Sequence, residues 1–591
     1  MCPNISFADS GTITQGDGTE SDPYGVSTPE QLNAVRYYPD AYFIMLDDID
    51  MSEATSEGGV YWNDGEGWDP IDFSGTFDGN TYSITGLYIK TDISLKNNGL
   101  FGEISASAVV KNLNMLDCSI SARDYAGAIA GKNKGTISNC NTTGTITARM
   151  YNVGGVTGFN MGTVSDCVND AVIVTNSDGG GIAGQNYGTI RSCANINSIF
   201  GEVNFGGIVG GNYGGTVDMC YNTGSIIGTD TYSTRAGGIV GYLYPGIISS
   251  CFNTGEVFAV IHSGGIAGYC NRDFDDSITC TINHCYNIGE ITADEHFGGI
   301  AGGVWRCTFD ECYYADISST GIGDGTAIGT MSSKTLNEMK YQSTYSGFYF
   351  EDVWEIVEGE RYPVLQEVPF IYVTGISLDG TLALQVGESE TLLSAITPSD
   401  ASNKNVSWAS SDDSIATVAD GTVSGVSSGT VTITVTTGDG GFTDTCTVTV
   451  KSSQIKSLVY TIDTENSLLR DVSINTSVTE LKTNLDNDAA DIKVYDKDGN
   501  EYTGDTVASG MVVKLIVNDT VKDQLTLAIR GDVSGNGQID IADYILIRSF
   551  LYGLINLNTL QFFSADVNNS GNIDIADYIL VRSHMYGLIQ L

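Results

Sequence analysis

The stretch GGIVGGNYGGTVDMCYNTG, residues 206–224, decides how this chain reads. It holds a five-residue string, G-[GA]-[IV]-x-G, then a turn rich in Asn and Gly, a short β-branched run ending in Cys220, and a second turn. The string returns at 127–131, 154–158, 180–184, 237–241, 264–268 and 298–302. Most intervals are 26 or 27 residues; two, of 31 and 34, read as loop insertions. Three short strands and three turns per period describe one coil of a parallel β-solenoid. Strands this short bury a face only when coil stacks on coil. The third position of every string is Ile or Val: Ile129, Val156, Ile182, Ile208, Ile239, Ile266 and Ile300. These predict a column of inward-facing aliphatics, with the neighbouring glycines permitting close backbone approach.

Cysteines keep the same beat at Cys140, Cys167, Cys193, Cys220, Cys251, Cys285 and Cys312, with Cys118 expected to start the column. No CxxC occurs, and one thiol per coil suits stacking of small buried side chains better than a tetrahedral zinc site. Cys270 and Cys280 fall in the 34-residue repeat and are the expected candidates for a disulfide. Asn169, Asn195, Asn222, Asn253 and Asn287 each follow a Cys by two residues. Asn suits left-handed turns and amide ladders between stacked strands, and a glycan-binding row is the alternative. Asp166 and Asp218 lie at nearly equivalent positions two coils apart, but Ser138 and Ser192 take that place elsewhere, which reads as outward decoration.

These repeats resemble the GLUG repeats of large secreted and surface proteins of bacteria. STPEQLNAVRYYPDAYFIMLDDIDMS (27–52) resembles that family's opening cap, FSGTFDGNTYSITGLYI (73–89) its first coils and FEDVWEIVEGERYPVL (350–365) its closing strand. Some members of the wider family are zinc peptidases, an activity that needs His-Glu-x-x-His. The four histidines, His262, His284, His296 and His584, do not form that pattern.

Residues 373–450 alternate apolar residues between Gly, Asp and Ser turns, the pattern of an antiparallel sandwich. The segment resembles a group 2 bacterial immunoglobulin-like domain, with Trp408 as core anchor. GVSSG at 425–429 matches the nucleophile-elbow string, yet β-rich sequence flanks it and no His lies in this domain, so it reads as a turn. Residues 452–530 read as strand, short helix and further strands, a small α+β module.

The chain ends on a duplicated phrase, GDVSGNGQIDIADYILIRS (531–549) and ADVNNSGNIDIADYILVRS (565–583). A calcium loop takes oxygen ligands from positions 1, 3, 5, 7 and 12, with Gly at 6 for the sharp turn. The first copy supplies Asp532, Ser534, Asn536, the Gln538 carbonyl and Asp543; the second supplies Asp566, Asn568, Ser570, the Asn572 carbonyl and Asp577. Ile539 and Ile573, at position 8, are expected to pair back to back or pack inward, and each loop is followed by an apolar run of helical spacing. The arrangement resembles the type I dockerin. That resemblance implies two Ca2+ ions, near two-fold symmetry, and a cohesin domain of a scaffoldin as partner. It places cohesin contacts at Ile541, Ala542 and Arg548, and at Ile575, Ala576 and Arg582. Positions 3 and 5 carry Ser and Asn where many dockerins have an Asp, so calcium affinity is expected at the weak end for the family.

The expected fold is mainly β: a solenoid over 1–370, an Ig-like β-sandwich over 371–451, an α+β module over 452–530 and an all-α, calcium-binding dockerin over 531–591. A formal charge of −45 disfavours nucleic acid and anionic membranes, and no apolar run is long enough to span a bilayer. The opening MCPNISFADSGTITQGDG is not a signal peptide, yet dockerin-bearing chains are exported, so a secreted location is expected with the leader processed or truncated. The implied role is a scaffold-anchored component of an extracellular polysaccharide-degrading complex. Its solenoid is expected to present an adhesive or glycan-binding surface. The alternative is a glycoside hydrolase or polysaccharide lyase built on the solenoid.

Overall fold

The computed structural model describes residues 13–591 apart from 231, 272–279, 318–319, 369, 400 and 518. The opening segment lies mostly outside the described residues. Two compact units emerge: one comprises residues up to 376 with 396–406 and 437–442, the other 377–395, 407–436 and 443–591.

The first unit is the parallel solenoid. Thr28 caps helix α1 (Pro29–Ala34) by accepting from the Gln31 amide, Pro occupies the first turn, and Leu32 and Ala34 are buried against the first coil. The strand Tyr24–Val26 starts the stack by pairing in parallel with Tyr42–Met45, which in turn pairs with Thr76–Asp78. Each coil contributes one strand to a ten-stranded parallel sheet, for example Ala183–Asn186, Val209–Asn212 and Val240–Leu243, while the rest of the coil joins a larger sheet over the remaining faces. Register survives both insertions: Val209 pairs with Val240 across the first, and Gly246 with Cys280 across the second. The coil spacing is therefore kept on either side of each insertion; residues 231 and 272–279, within them, lie outside the described residues. All seven aliphatics of the repeat string are fully buried. Gly207 shows why glycine precedes them, since a Cβ there would lie 2.1 Å from the Gly238 carbonyl oxygen of the next coil.

The cysteine column is a stack of buried thiols, each donating to the carbonyl two residues earlier, as Cys167 does to Ser165 (3.1 Å) and Cys220 to Asp218 (3.2 Å). Burial pushes these thiols well above their ordinary range, so they are inert. Two cysteine expectations are corrected. Cys118 does not start the column: Asn114 pairs with Asn141, so the residue before Asn114, Leu113, precedes Cys140 in the stack, and Cys118 lies five residues further along. Cys270 does not pair with Cys280. Its thiol is buried and free, and Cys280 is bonded to Cys307, with Cα atoms 4.8 Å apart. The reason is register: Thr281 pairs with Thr308, so Cys280 and Cys307 face each other on adjacent coils, whereas Cys270 stands in the other sheet. Asp166 and Asp218 are likewise one register position apart, since Asp218 pairs with Arg191 and Ser249, and Ser165 holds its place in the coil of Asp166.

The asparagine column is a buried amide ladder. Asn169 donates to Asn195 (2.8 Å), Asn195 to Asn222 (2.7 Å), Asn222 to Asn253 (2.7 Å) and Asn253 to Asn287 (2.8 Å), while each amide also donates to the carbonyl two residues ahead. A row buried this way is structural and offers nothing to a glycan. A second ladder, unnoticed in the sequence, runs Asn133–Asn160–Asn186–Asn212 at 2.8 Å per step. The segment expected as the closing strand instead forms a separate two-stranded antiparallel hairpin, Trp354–Glu355 with Val364–Leu365, and the last strand paired to the large coil sheet is Ile328–Lys334.

In the second unit, strands 381–385, 443–451, 429–437 and 406–410 form one sheet of the sandwich and 389–391, 422–425 and 416–419 the other. Its core is Val423, Ile433, Cys446 and Val448, with Trp408 half-buried against it. The GVSSG segment joins strand Thr422–Gly425 to strand Gly429–Thr437, a strand–turn–strand setting that fits a turn and not a nucleophile elbow. Next comes a five-stranded sheet with helix α2 (Val478–Thr483), followed by helices α3 (Ile541–Leu551), α4 (Thr559–Ala565) and α5 (Ile575–Met585).

Candidate calcium loops and docking faces

Helices α3 and α5 begin in the same way. Asp540 and Asp574 cap them by accepting from the amides of Ala542 and Ala576, both at 2.7 Å. Asp543 and Asp577 complete the capping boxes by reaching back to the Asp540 and Asp574 amides, both at 2.9 Å. The same two carboxylates turn inward to the loops, accepting from the Ser534 amide (2.7 Å) and the Asn568 amide (3.1 Å). At position 1, Asp532 accepts from the Gly537 amide (3.2 Å) and Asp566 from the Gly571 amide (2.8 Å). Positive φ at Gly537 and Gly571 allows each loop to turn back on itself here.

Each loop thus brings the carboxylates of positions 1 and 12 to one centre, and all four, Asp532, Asp543, Asp566 and Asp577, are buried. Among the described residues no lysine or arginine forms an ion pair with any of them. Buried carboxylates without a cation are costly. In the first loop Asp532 Oδ1 and Ser534 Oγ are buried with no hydrogen-bond partner. Burial, with the Asp543 charge adding to it, raises the Asp532 carboxyl, opposed by the amides of Ser509 and Gly537. Oxygens oriented and unsatisfied in this way fit a hard cation such as Ca2+. Asn536 Oδ1 accepts from the Gln538 amide (2.9 Å), and Ser570 Oγ donates to the Asn572 carbonyl (2.9 Å), so positions 5 and 7 are adjacent in both loops.

Ile539 and Ile573 pack inward with Ile547 and Val581. The Tyr544 and Tyr578 rings meet at 4.7 Å between the two helices, with their hydroxyls hydrogen-bonded. The contact residues expected from the sequence are on the outside. Ile541 is 56% exposed and Ile575 63%, and Arg548 and Arg582 are exposed. Each face extends further than the sequence reading had it: Ile545, Tyr552 and Leu554 on one copy, and Ile579, Tyr586 and Leu588 on the other, are exposed as well. Arg548 lies over the Tyr552 ring and Arg582 over the Tyr586 ring, at 5.6 and 5.7 Å. Of these added residues, Ile545 and Ile579 stand in the duplicated phrases, whereas Tyr552, Leu554, Tyr586 and Leu588 lie just beyond them.

One asymmetry has no signal in the sequence. The α+β module covers only the first loop: the Ser509 amide donates to Asp532 Oδ2 (2.8 Å), Lys497 Nζ donates to the Gly535 carbonyl, and Ser509 Oγ meets Ser564 Oγ (3.3 Å). The second loop keeps residues 568–572 exposed, and its contact with the module is Arg470 donating to Asn569 (3.0 Å).

Family models agree with these modules. The dockerin type I domain matches residues 530–585, the bacterial Ig-like domain (group 2) residues 372–448, and the GLUG motif residues 201–227. Among curated proteins the chain is similar to Halomucin of Haloquadratum walsbyi (33% identical over 146 residues, 23% of this chain and 2% of that protein). It is also similar to an Alpha-L-arabinofuranosidase of Bifidobacterium longum subsp. longum (38% over 125 residues, 20% and 12%) and to an Ig-like virion protein of Serratia phage KSP90 (46% over 83 residues, 14% and 32%). The chain spans a third or less of the length of each.

Proposed function

We propose that this chain is a secreted, scaffoldin-anchored component of an extracellular polysaccharide-degrading complex, with modules at 1–370, 371–451, 452–530 and 531–591. The dockerin holds two Ca2+ ions and binds a cohesin domain. Ile541, Ala542 and Arg548, or their twins Ile575, Ala576 and Arg582, form the contact, and the solenoid presents an adhesive or glycan-binding surface. The observation that carries this reading is the pair of matched loops, each converging two buried carboxylates beneath an exposed apolar helix face. Calcium draws the carboxylates together and so fixes the N-terminus of each helix, where the contact residues stand. The test is cohesin binding by calorimetry with Ca2+ and with a chelator. Binding is expected in Ca2+ alone, and equal binding in both would refute the proposal.

A carbohydrate-active enzyme is the second reading, favoured by the similarity to an arabinofuranosidase. A solenoid glycosidase needs two carboxylates about 5–10 Å apart. Residues 1–370 incubated with a polysaccharide panel separate the two: retention without cleavage supports the adhesive surface, and released reducing ends or unsaturated products support the enzyme.

A further inference from the structure

The last coils of the solenoid bring two histidines together. Each coil turns one corner through a residue of positive φ, and Asp178, Asn204, Arg235, His262 and His296 hold this corner in successive coils. His262 and His296 are therefore stacked neighbours, flanked by the pairs Ile261–Glu295 and Ser263–Phe297, with ring centroids 5.1 Å apart and planes 18° from parallel. Beside the corner runs a second column, in which Tyr269 pairs with Gly303 and Gly303 with Asp324. The glycine matters: a Cβ at Gly303 would lie 2.7 Å from His262 Cδ2. The Tyr269 and His262 rings take up that space, and Asp324 stands in the following coil. One nitrogen of each histidine ring and one carboxylate oxygen lie within 4.8 Å of one another.

We infer that His262, His296 and Asp324 bind a divalent transition-metal ion of the zinc class on the flank of the solenoid. Two imidazoles and one carboxylate suit Zn2+, Co2+, Ni2+ or Cu2+ and not Ca2+, which takes oxygen ligands throughout. Ligand bonds of about 2.0–2.2 Å require the three atoms to draw together. His296 and Asp324 are exposed and free to do so, while half-buried His262 is held edge-on against Tyr269 at 4.9 Å. Burial first, then His296 and Arg235, push the His262 imidazole down to about 4, so the ring is in its neutral, ligating form near pH 7. Three protein ligands leave a coordination position open to solvent. Arg235 stands on the other side of the pair, over the Tyr242 and Tyr269 rings, and its charge opposes the ion.

The test uses the full chain with Ca2+ in excess, so that the dockerin loops are filled. Zn2+ is titrated by calorimetry, and Co2+ is followed by its visible absorption. One ion per chain is expected at the cluster. His262→Gln, His296→Gln and Asp324→Asn should each weaken binding at least ~10-fold, since even losing a residue that only supports a ligand costs about that much. His284→Gln and His584→Gln should leave it unchanged. Arg235→Gln should tighten it, a gain that misfolding cannot mimic. Zn2+ affinity unaltered by all three ligand changes would overturn the inference, as would a wild-type chain that fails to bind Zn2+ or give a cobalt spectrum.

Discussion

The solenoid's stability rests on single buried amides that must be satisfied in both directions. Asn195 accepts from Asn169 and donates to Asn222 and to the Asn197 carbonyl. Asn195→Leu strands the Asn169 donor on one neighbouring coil, the Asn222 acceptor on the other and the Asn197 carbonyl on its own, each costing about 1–3 kcal/mol. A loss of at least about 3 kcal/mol in urea unfolding of the solenoid is therefore expected, whereas replacing an exposed Asn such as Asn141 should change little. Asp178 is the opposite case, a buried carboxylate that accepts from Gln185 (2.7 Å), Asn204 (2.9 Å) and Tyr213 (3.4 Å). Burial raises its carboxyl above the usual range, against those donors and Arg235. The folded state then holds the proton more tightly than the unfolded one, so stability falls as pH rises through the folded value. Asp178→Asn, with Gln185 turning its amide to offer Oε1, should stabilise the protein near pH 7, and the gain should vanish as the pH falls toward 4. A gain independent of pH would show that charge burial is not the cause.

Among the elements, the two loop–helix units test the meaning of the duplication. Their contact residues are exposed alike, so Ile541→Asp with Ala542→Asp should leave cohesin binding largely intact, as should the change at Ile575 and Ala576. Only the four-site variant should lose it. Calcium should tell the units apart. The α+β module donates the Ser509 amide to Asp532 and packs against the first loop, whereas residues 568–572 of the second are exposed. Asp543→Asn and Asp577→Asn should each abolish one of two Ca2+ sites in calorimetry of residues 452–591, the first removing the tighter. Equal affinities would show that the module's contact contributes nothing to binding. The loops and their helices were legible because each loop–helix unit lies within one short phrase. The module's contact was not, because Ser509 and Asp532 meet only through folding of the intervening strand.

For the molecule as a whole, calcium dependence should be confined to the C-terminal region. Calcium adds stability only to the state that binds it. Chelation should therefore lower the unfolding temperature of a transition assigned to residues 452–591 and leave the solenoid transition unmoved in calorimetry. A uniform shift of both would mean that calcium also supports the coils.

The sequence by itself determined the coil period, the aliphatic, cysteine and asparagine columns, and the two twinned loop–helix units. Each is a local pattern or a strict repeat, and in a solenoid the repeat fixes which residues become neighbours. What the tertiary structure decided depends on phase between coils. Register joined Cys280 to Cys307 in place of Cys270, put Leu113 and not Cys118 at the head of the thiol stack, and separated Asp166 from Asp218. It also brought His262, His296 and Asp324 together across the space left by Gly303, from positions 34 and 28 residues apart. With side chains alternating between faces, a shift of one residue sends a group to the other side of the coil. Spacing alone, blurred by two insertions, could not carry that information.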